Sequence, residues 1–148
     1  MISLKIEDIQ KEWDSDSEVD ASHLSDQISK IPYLHSKYMK ILFDEKMIKS
    51  KIDRQIDELL PDKTMYYRGK LDEETITKRG WKPFNLFLTA QDTNMYLTAD
   101  KELADLKQRK GIVEEKIRYV EEIIKQVNQR NFLIKNLIDW QRFTSGSN

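Results

Sequence analysis

Tyr66 and Tyr67 stand side by side, with Lys63 before them and Arg68 and Lys70 after. Aromatic rings stack on nucleobases whatever the sequence, and cations follow phosphates, so this mixture is the chemistry of single-stranded nucleic-acid binding. It returns in Lys78-Arg79-Gly80-Trp81-Lys82-Pro83-Phe84, a segment whose Gly and Pro read as a loop, where function concentrates. The candidate nucleic-acid-binding residues are therefore Lys63, Tyr66, Tyr67, Arg68, Lys70, Lys78, Arg79, Trp81 and Lys82. Each half has a structural counterpart. Two tyrosines can cap a helical core, and Trp81 with Phe84 can anchor a loop to it.

Other chemistry is not encoded. Gly69-Lys70 falls short of a phosphate loop, because Thr64 stands where its first glycine belongs and Leu71 where Ser or Thr must follow the lysine. His23 and His35 are twelve residues apart, without the i, i+4 spacing of a helical zinc site. The chain has no cysteine, which excludes disulfides and thiolate ligands. No catalytic residue, metal or cofactor is expected, and the chain reads as a binding protein rather than an enzyme.

The elements that must carry these residues are helical. With 4 Gly and 3 Pro in 148 residues there are too few turn-makers for a protein of many short strands, so the expected class is all-α within one domain's length. A short amphipathic turn at Leu4 to Trp13 and the acidic Asp14-Ser15-Asp16-Ser17-Glu18 make residues 1–18 an appendage and linker. Asp20, with Val19 and Leu24 as a hydrophobic staple, is the expected N-cap of a long helix. Its apolar face is Leu24, Ile28, Ile31, Leu34, Tyr38, Ile41, Ile48, Ile52, Ile56 and Leu59, with one gap at Glu45. Pro32 should kink or restart this helix, and Leu60-Pro61 should break it. Residues 19–97 would hold the helix and the binding region. Within them, Phe84, Leu86 and Leu88 alternate, and Gln91 to Asn94 can turn the chain into a small β-hairpin.

Thr98 is the expected cap of a second long helix over residues 98–143, with Asp100 and Glu102 in its first turn. Val113, Ile117, Val120, Ile124, Val127, Asn131, Ile134 and Ile138 follow in alternating steps of four and three, a heptad seam. Beside it runs a second stripe of Ile112, Tyr119, Ile123, Leu133, Leu137 and Trp140. Two stripes exceed what one partner helix needs, which points to one for the protomer's own core and one for another subunit. The seam is the candidate oligomer interface, with Asn131 setting register. A purely intramolecular core is its counterpart. Residues 144–148 are a loose tail.

Charge is uneven. Residues 1–26 carry 2 Lys/Arg against 8 Asp/Glu, residues 27–82 carry 13 against 9, and residues 83–148 carry 10 against 9. A basic middle permits an anionic partner, although the net charge of −1 does not describe a strongly basic nucleic-acid binder. The first twenty residues hold no apolar signal region, and no apolar run is long enough to span a membrane.

Five segments together resemble the UvsY family, the recombination mediators of T-even-like phages: Ile6-Glu7-Asp8-Ile9-Gln10, Leu34-His35-Ser36-Lys37-Tyr38, Tyr66-Tyr67-Arg68-Gly69-Lys70, Leu97-Thr98-Ala99-Asp100-Lys101 and Phe132-Leu133-Ile134-Lys135. The resemblance implies a non-enzymatic protein that forms a ring-like homo-oligomer of six or seven subunits through its C-terminal part. It implies binding of single-stranded DNA, in the cytoplasm of the infected bacterial host. The implied role is to load the phage recombinase (UvsX-like) onto DNA coated by the phage single-strand-binding protein. The family's binding motif places two basic residues just before the paired tyrosines. Here the second matches Lys63, and the first falls at Pro61. The segment from Leu71 to Tyr96 is longer than the family pattern, and its Lys78, Arg79 and Lys82 are placed to supply the missing charge. The alternative is a structural coiled-coil adaptor for protein partners, with the basic residues a solvated helix face.

Overall fold

A computed structural model describes residues 3–146. Among them it forms six helices and no strand: α1 (Ile6–Asp16), α2 (Leu24–Ser29), α3 (Ile31–Tyr67), α4 (Glu73–Arg79), α5 (Ala90–Ala99) and α6 (Lys101–Thr144). The all-α expectation is borne out. The chain divides into two compact units, one made of the chain through Ile48 and again from Glu114, the other of Lys49–Val113. These units do not follow the segments 19–97 and 98–143, because each combines part of α3 with part of α6.

In the first unit the acidic head is neither appendage nor linker. Glu7 and Asp8 occupy the first turn of α1, where carboxylates offset the helix dipole. Ile9 is completely buried, and Trp13 meets the ring of Tyr38 edge-on at 5.6 Å. Asp16, expected in a linker, is the last residue of α1. Its carboxylate accepts from the Tyr38 hydroxyl at 2.8 Å and pairs with Lys37 at 2.6 Å. Asp20 does not cap the long helix. It accepts the Ser22 backbone N–H at 2.9 Å, while His23 takes the N-cap position of α2. Lys30 ends α2 and α3 starts at Ile31, so Pro32 restarts the helix from its first turn, where a missing N–H costs little.

Leu34, Tyr38, Leu42, Ile117, Val120, Ile123, Ile124, Val127 and Ile134 fill this unit's core. Glu45, the gap in the apolar pattern, lies on the buried face, 2.9 Å from the equally buried Lys116. Lys116 also donates to Ser3 Oγ at 2.6 Å and to the Leu4 carbonyl at 3.0 Å, which ties the head to α6.

The heptad seam is corrected by its burial. Val113, Ile117, Val120, Ile124, Val127 and Ile134 are buried within the single chain, and Ile138 is half-buried. Side chains packed in the protomer's own core have no surface left for another subunit. Asn131 is exposed, and Arg130 takes the inward position beside it. A helix of 3.6 residues per turn drifts against a 3.5 repeat, so the inward stripe passes from Val127 through Arg130 to Ile134. The buried guanidinium donates to the Asp16 carbonyl at 2.7 Å.

In the second unit Pro61 does not break α3. It removes the N–H that would bond the Asp57 carbonyl, but Leu59 and Lys63 on either side are buried and the helix continues to Tyr67. Gly69, at φ 70°, ends it: the Gly69 N–H bonds Tyr66 O and the Lys70 N–H bonds Met65 O, a Schellman closure that favours glycine. The β-hairpin does not form. Residues 81–89 run without regular structure, and Gln91 to Asn94 lie inside α5. Thr89 caps that helix by accepting from the Asp92 N–H at 3.2 Å, a Thr-x-x-Asp signature visible in the sequence. Thr98 is likewise inside α5. Asp100 is the residue that caps α6, its carboxylate accepting from the Leu103 N–H at 3.0 Å.

Candidate nucleic-acid interface

All nine candidate nucleic-acid-binding residues lie in the second unit, and the structure divides them sharply. Lys63 is only 5% exposed. Its ammonium sits 2.9 Å from Asp100, 3.4 Å from Glu102 and 4.1 Å from the centre of the Trp81 ring. A cation enclosed this way has no path to a phosphate, so Lys63 is corrected from a DNA contact to an internal counter-ion.

The two tyrosines belong to an aromatic cluster. Tyr66 lies 5.2 Å from Tyr67 and 5.1 Å from Trp81, Tyr67 lies 5.2 Å from Phe84, and Tyr96 packs 5.9 Å from Phe84. The Tyr66 hydroxyl donates to the Lys82 carbonyl, the Tyr67 hydroxyl donates to Asp100, and Trp81 Nε1 donates to Glu102 at 2.7 Å. The tyrosines thus pack in this cluster and Trp81 anchors the loop, while all three rings stay half-buried. Burial first, then the hydrogen bond to Asp100 and the charge of that carboxylate, pushes the Tyr67 hydroxyl above its usual range. Burial pushes the Asp100 carboxyl up, but hydrogen bonds from Tyr67, the Leu103 N–H and Lys63 outweigh it and hold the group below the usual carboxylate value.

The remaining cations differ in what they can do. Arg79 is bound to Asp62 at 2.7 Å, and Lys78 makes an exposed helical pair with Glu74 at 3.2 Å. Arg68, Lys70 and Lys82 form no ion pair among the described residues, and the latter two are exposed. The cluster brings them to one place, because the Tyr66 bond to Lys82 ties segment 81–89 to the end of α3, and Leu86 and Phe87 lie against Gly69. Phe84, Tyr96, Asp100 and Glu102 complete this network and were not singled out as site residues. Asp100 and Glu102 carried only a helix-dipole signal, and no spacing links them to Lys63.

A second surface belongs to the first unit. Phe132, Leu133, Trp140 and Phe143 on α6 are exposed, at 71%, 49%, 63% and 78%. Trp140 and Phe143 stack at 5.9 Å. No group of three or more His, Cys, Asp or Glu among the described residues is arranged to hold a metal ion.

A family profile described as "Recombination, repair and ssDNA binding protein UvsY" matches residues 12–147. The chain belongs to the UvsY family. The resemblance carried by the five sequence segments is thus borne out, and the family's role is recombination and repair. A crystal structure of the bacteriophage T4 recombination mediator protein UvsY, lattice type IV, superposes with a TM-score of 0.83 at 21% identity, covering 95% of this chain and 99% of that one. The lattice type II form gives a TM-score of 0.84 at 20% identity, covering 96% and 98%. The UvsY fold is therefore present over nearly the whole chain. A search of curated proteins gives no significant match. Among the described residues no helix is long and apolar enough to cross a membrane.

Proposed function

We propose that this chain binds single-stranded DNA through the edge of the second unit, with Arg68, Lys70 and Lys82 on the phosphates. The observation that carries the reading is the charge of these three residues, which no carboxylate of the unit neutralises, in a family described as single-strand-binding. We further propose assembly into a ring-shaped homo-oligomer, six or seven subunits by family resemblance. Its contact is the exposed face of Phe132, Leu133, Trp140 and Phe143, since large exposed apolar patches mark association surfaces and head-to-tail contacts between identical chains close into rings. The ring would strain the strand, loosen the single-strand-binding protein that coats it, and offer the phage recombinase a conformation that it prefers. Without catalysis this works only by differential binding to the states of the strand. The site of action is the cytoplasm of the infected host.

Titration of labelled oligo(dT) at several salt concentrations tests the DNA reading. Affinity should fall linearly on a log–log plot, and Arg68→Ala, Lys70→Ala and Lys82→Ala together should flatten the slope by about 0.7 per lost contact. Lys63→Ala should leave the slope unchanged. The coiled-coil adaptor draws on the same exposed apolar face, and absence of salt-dependent binding to oligo(dT) would favour it.

A further inference from the structure

We propose that Phe87 is a base-stacking platform of this interface, an inference that rests on the single-strand reading above. Its ring is 86% exposed, more than any other large apolar side chain among the described residues. The segment that carries it is nevertheless held at both ends. Trp81 is bonded to Glu102 and the Lys82 carbonyl takes the Tyr66 hydroxyl, while Phe84 is inside the aromatic cluster and Thr89 caps α5. A phenylalanine left open on a tethered segment contributes little to its own fold, and its π-face is free for a ligand.

Gly69 supplies the second half of the geometry. A Cβ on this residue would stand 3.1 Å from two carbons along one edge of the Phe87 ring, and the φ of +70° is one that side-chain-bearing residues rarely adopt. The glycine thus lets the ring settle directly against the end of α3, at a residue flanked in sequence by two cations that make no ion pair, Arg68 and Lys70. Lys82 lies on the same segment as Phe87. An open aromatic face flanked by cations complements an unpaired base and its neighbouring phosphates. In a duplex each base is already stacked on both sides, so the fitting partner is a single strand.

The test compares oligo(dT) with an abasic oligonucleotide of the same length, by fluorescence anisotropy on the full chain. The unsubstituted protein should prefer oligo(dT). Phe87→Ala should bind oligo(dT) about tenfold more weakly or worse, with the salt slope and the abasic affinity unchanged. Phe87→Tyr, which keeps a stacking ring, should retain binding. Gly69→Ala should weaken it by displacing the ring. Equal binding of oligo(dT) by Phe87→Ala and the unsubstituted protein overturns the stacking role alone, as does an equal loss on both oligonucleotides. Failure of the unsubstituted protein to bind oligo(dT) overturns the single-strand reading and this inference with it.

Discussion

Lys63 is where residue chemistry and residue environment part company. As a cation before paired tyrosines it has the identity of a phosphate contact, yet it lies buried against Asp100. Removing one partner of a buried pair leaves an uncompensated charge and costs about 3–5 kcal/mol. Lys63→Met should therefore lower stability by about that amount in urea unfolding, and adding Asp100→Asn should recover much of it, since asparagine still caps α6 and no charge is stranded. The pair also fixes an acid dependence. Because the folded Asp100 is held below the ordinary aspartate value, the unfolded carboxyl takes up its proton first as pH falls. The stability contributed by this group is complete above about pH 4 and is lost as pH falls through the depressed value. Unfolding measured at pH 6 and pH 3 should show a smaller acid loss in Asp100→Asn than in the unsubstituted chain.

At the scale of elements, local signals held where they reported on backbone chemistry and failed where packing decided. Gly80 in the left-handed region at φ 72° ends α4, and Pro32 sits in a first turn, as their residue types demand. Pro61 and the alternating Phe84, Leu86 and Leu88 misled, because the burial of Leu59 and Lys63 carries α3 past the proline and the Thr89 cap commits the following residues to α5. Gly111 offers a clean test of propensity within α6. Nothing lies within 4 Å of a Cβ added there, so Gly111→Ala should add about 0.5–1 kcal/mol by restricting the unfolded chain without a clash. A raised midpoint in urea, with single-strand binding unchanged, is the expected result.

For the whole molecule, the seam of α6 is taken up by the protomer's own core, as is Ile123 of the second stripe, while Leu133 and Trp140 of that stripe stay exposed. Ile124 and Val127 are 9% and 0% exposed in the single chain, so charged residues there should unfold the protomer rather than merely dissociate an assembly. Phe132 and Trp140 are exposed. Phe132→Glu with Trp140→Glu should leave helix content intact by circular dichroism and reduce the assembled mass in light scattering. Loss of helix in the second variant, or an unchanged mass, would count against this face as the contact between subunits. Because an assembly holds one strand through several copies, the dissociated variant should also bind oligo(dT) more weakly.

Helical class, the long α3 and α6, and the kinship with UvsY were set by the sequence alone, because helix periodicity and the order of short segments are local and survive without tertiary context. So was the region of the basic and aromatic residues. Which of them face solvent was not, since lysines 63 and 70 are the same residue type and differ only in whether a carboxylate from another helix arrives beside them. Glu45 and Lys116 pair across 71 positions of chain, and Lys63 and Asp100 across 37. No periodicity encodes such distant partners. Tertiary structure decided them by bringing α3 and α6 together within each unit, where desolvation makes a buried charge costly unless an opposite charge or a hydrogen-bond partner meets it.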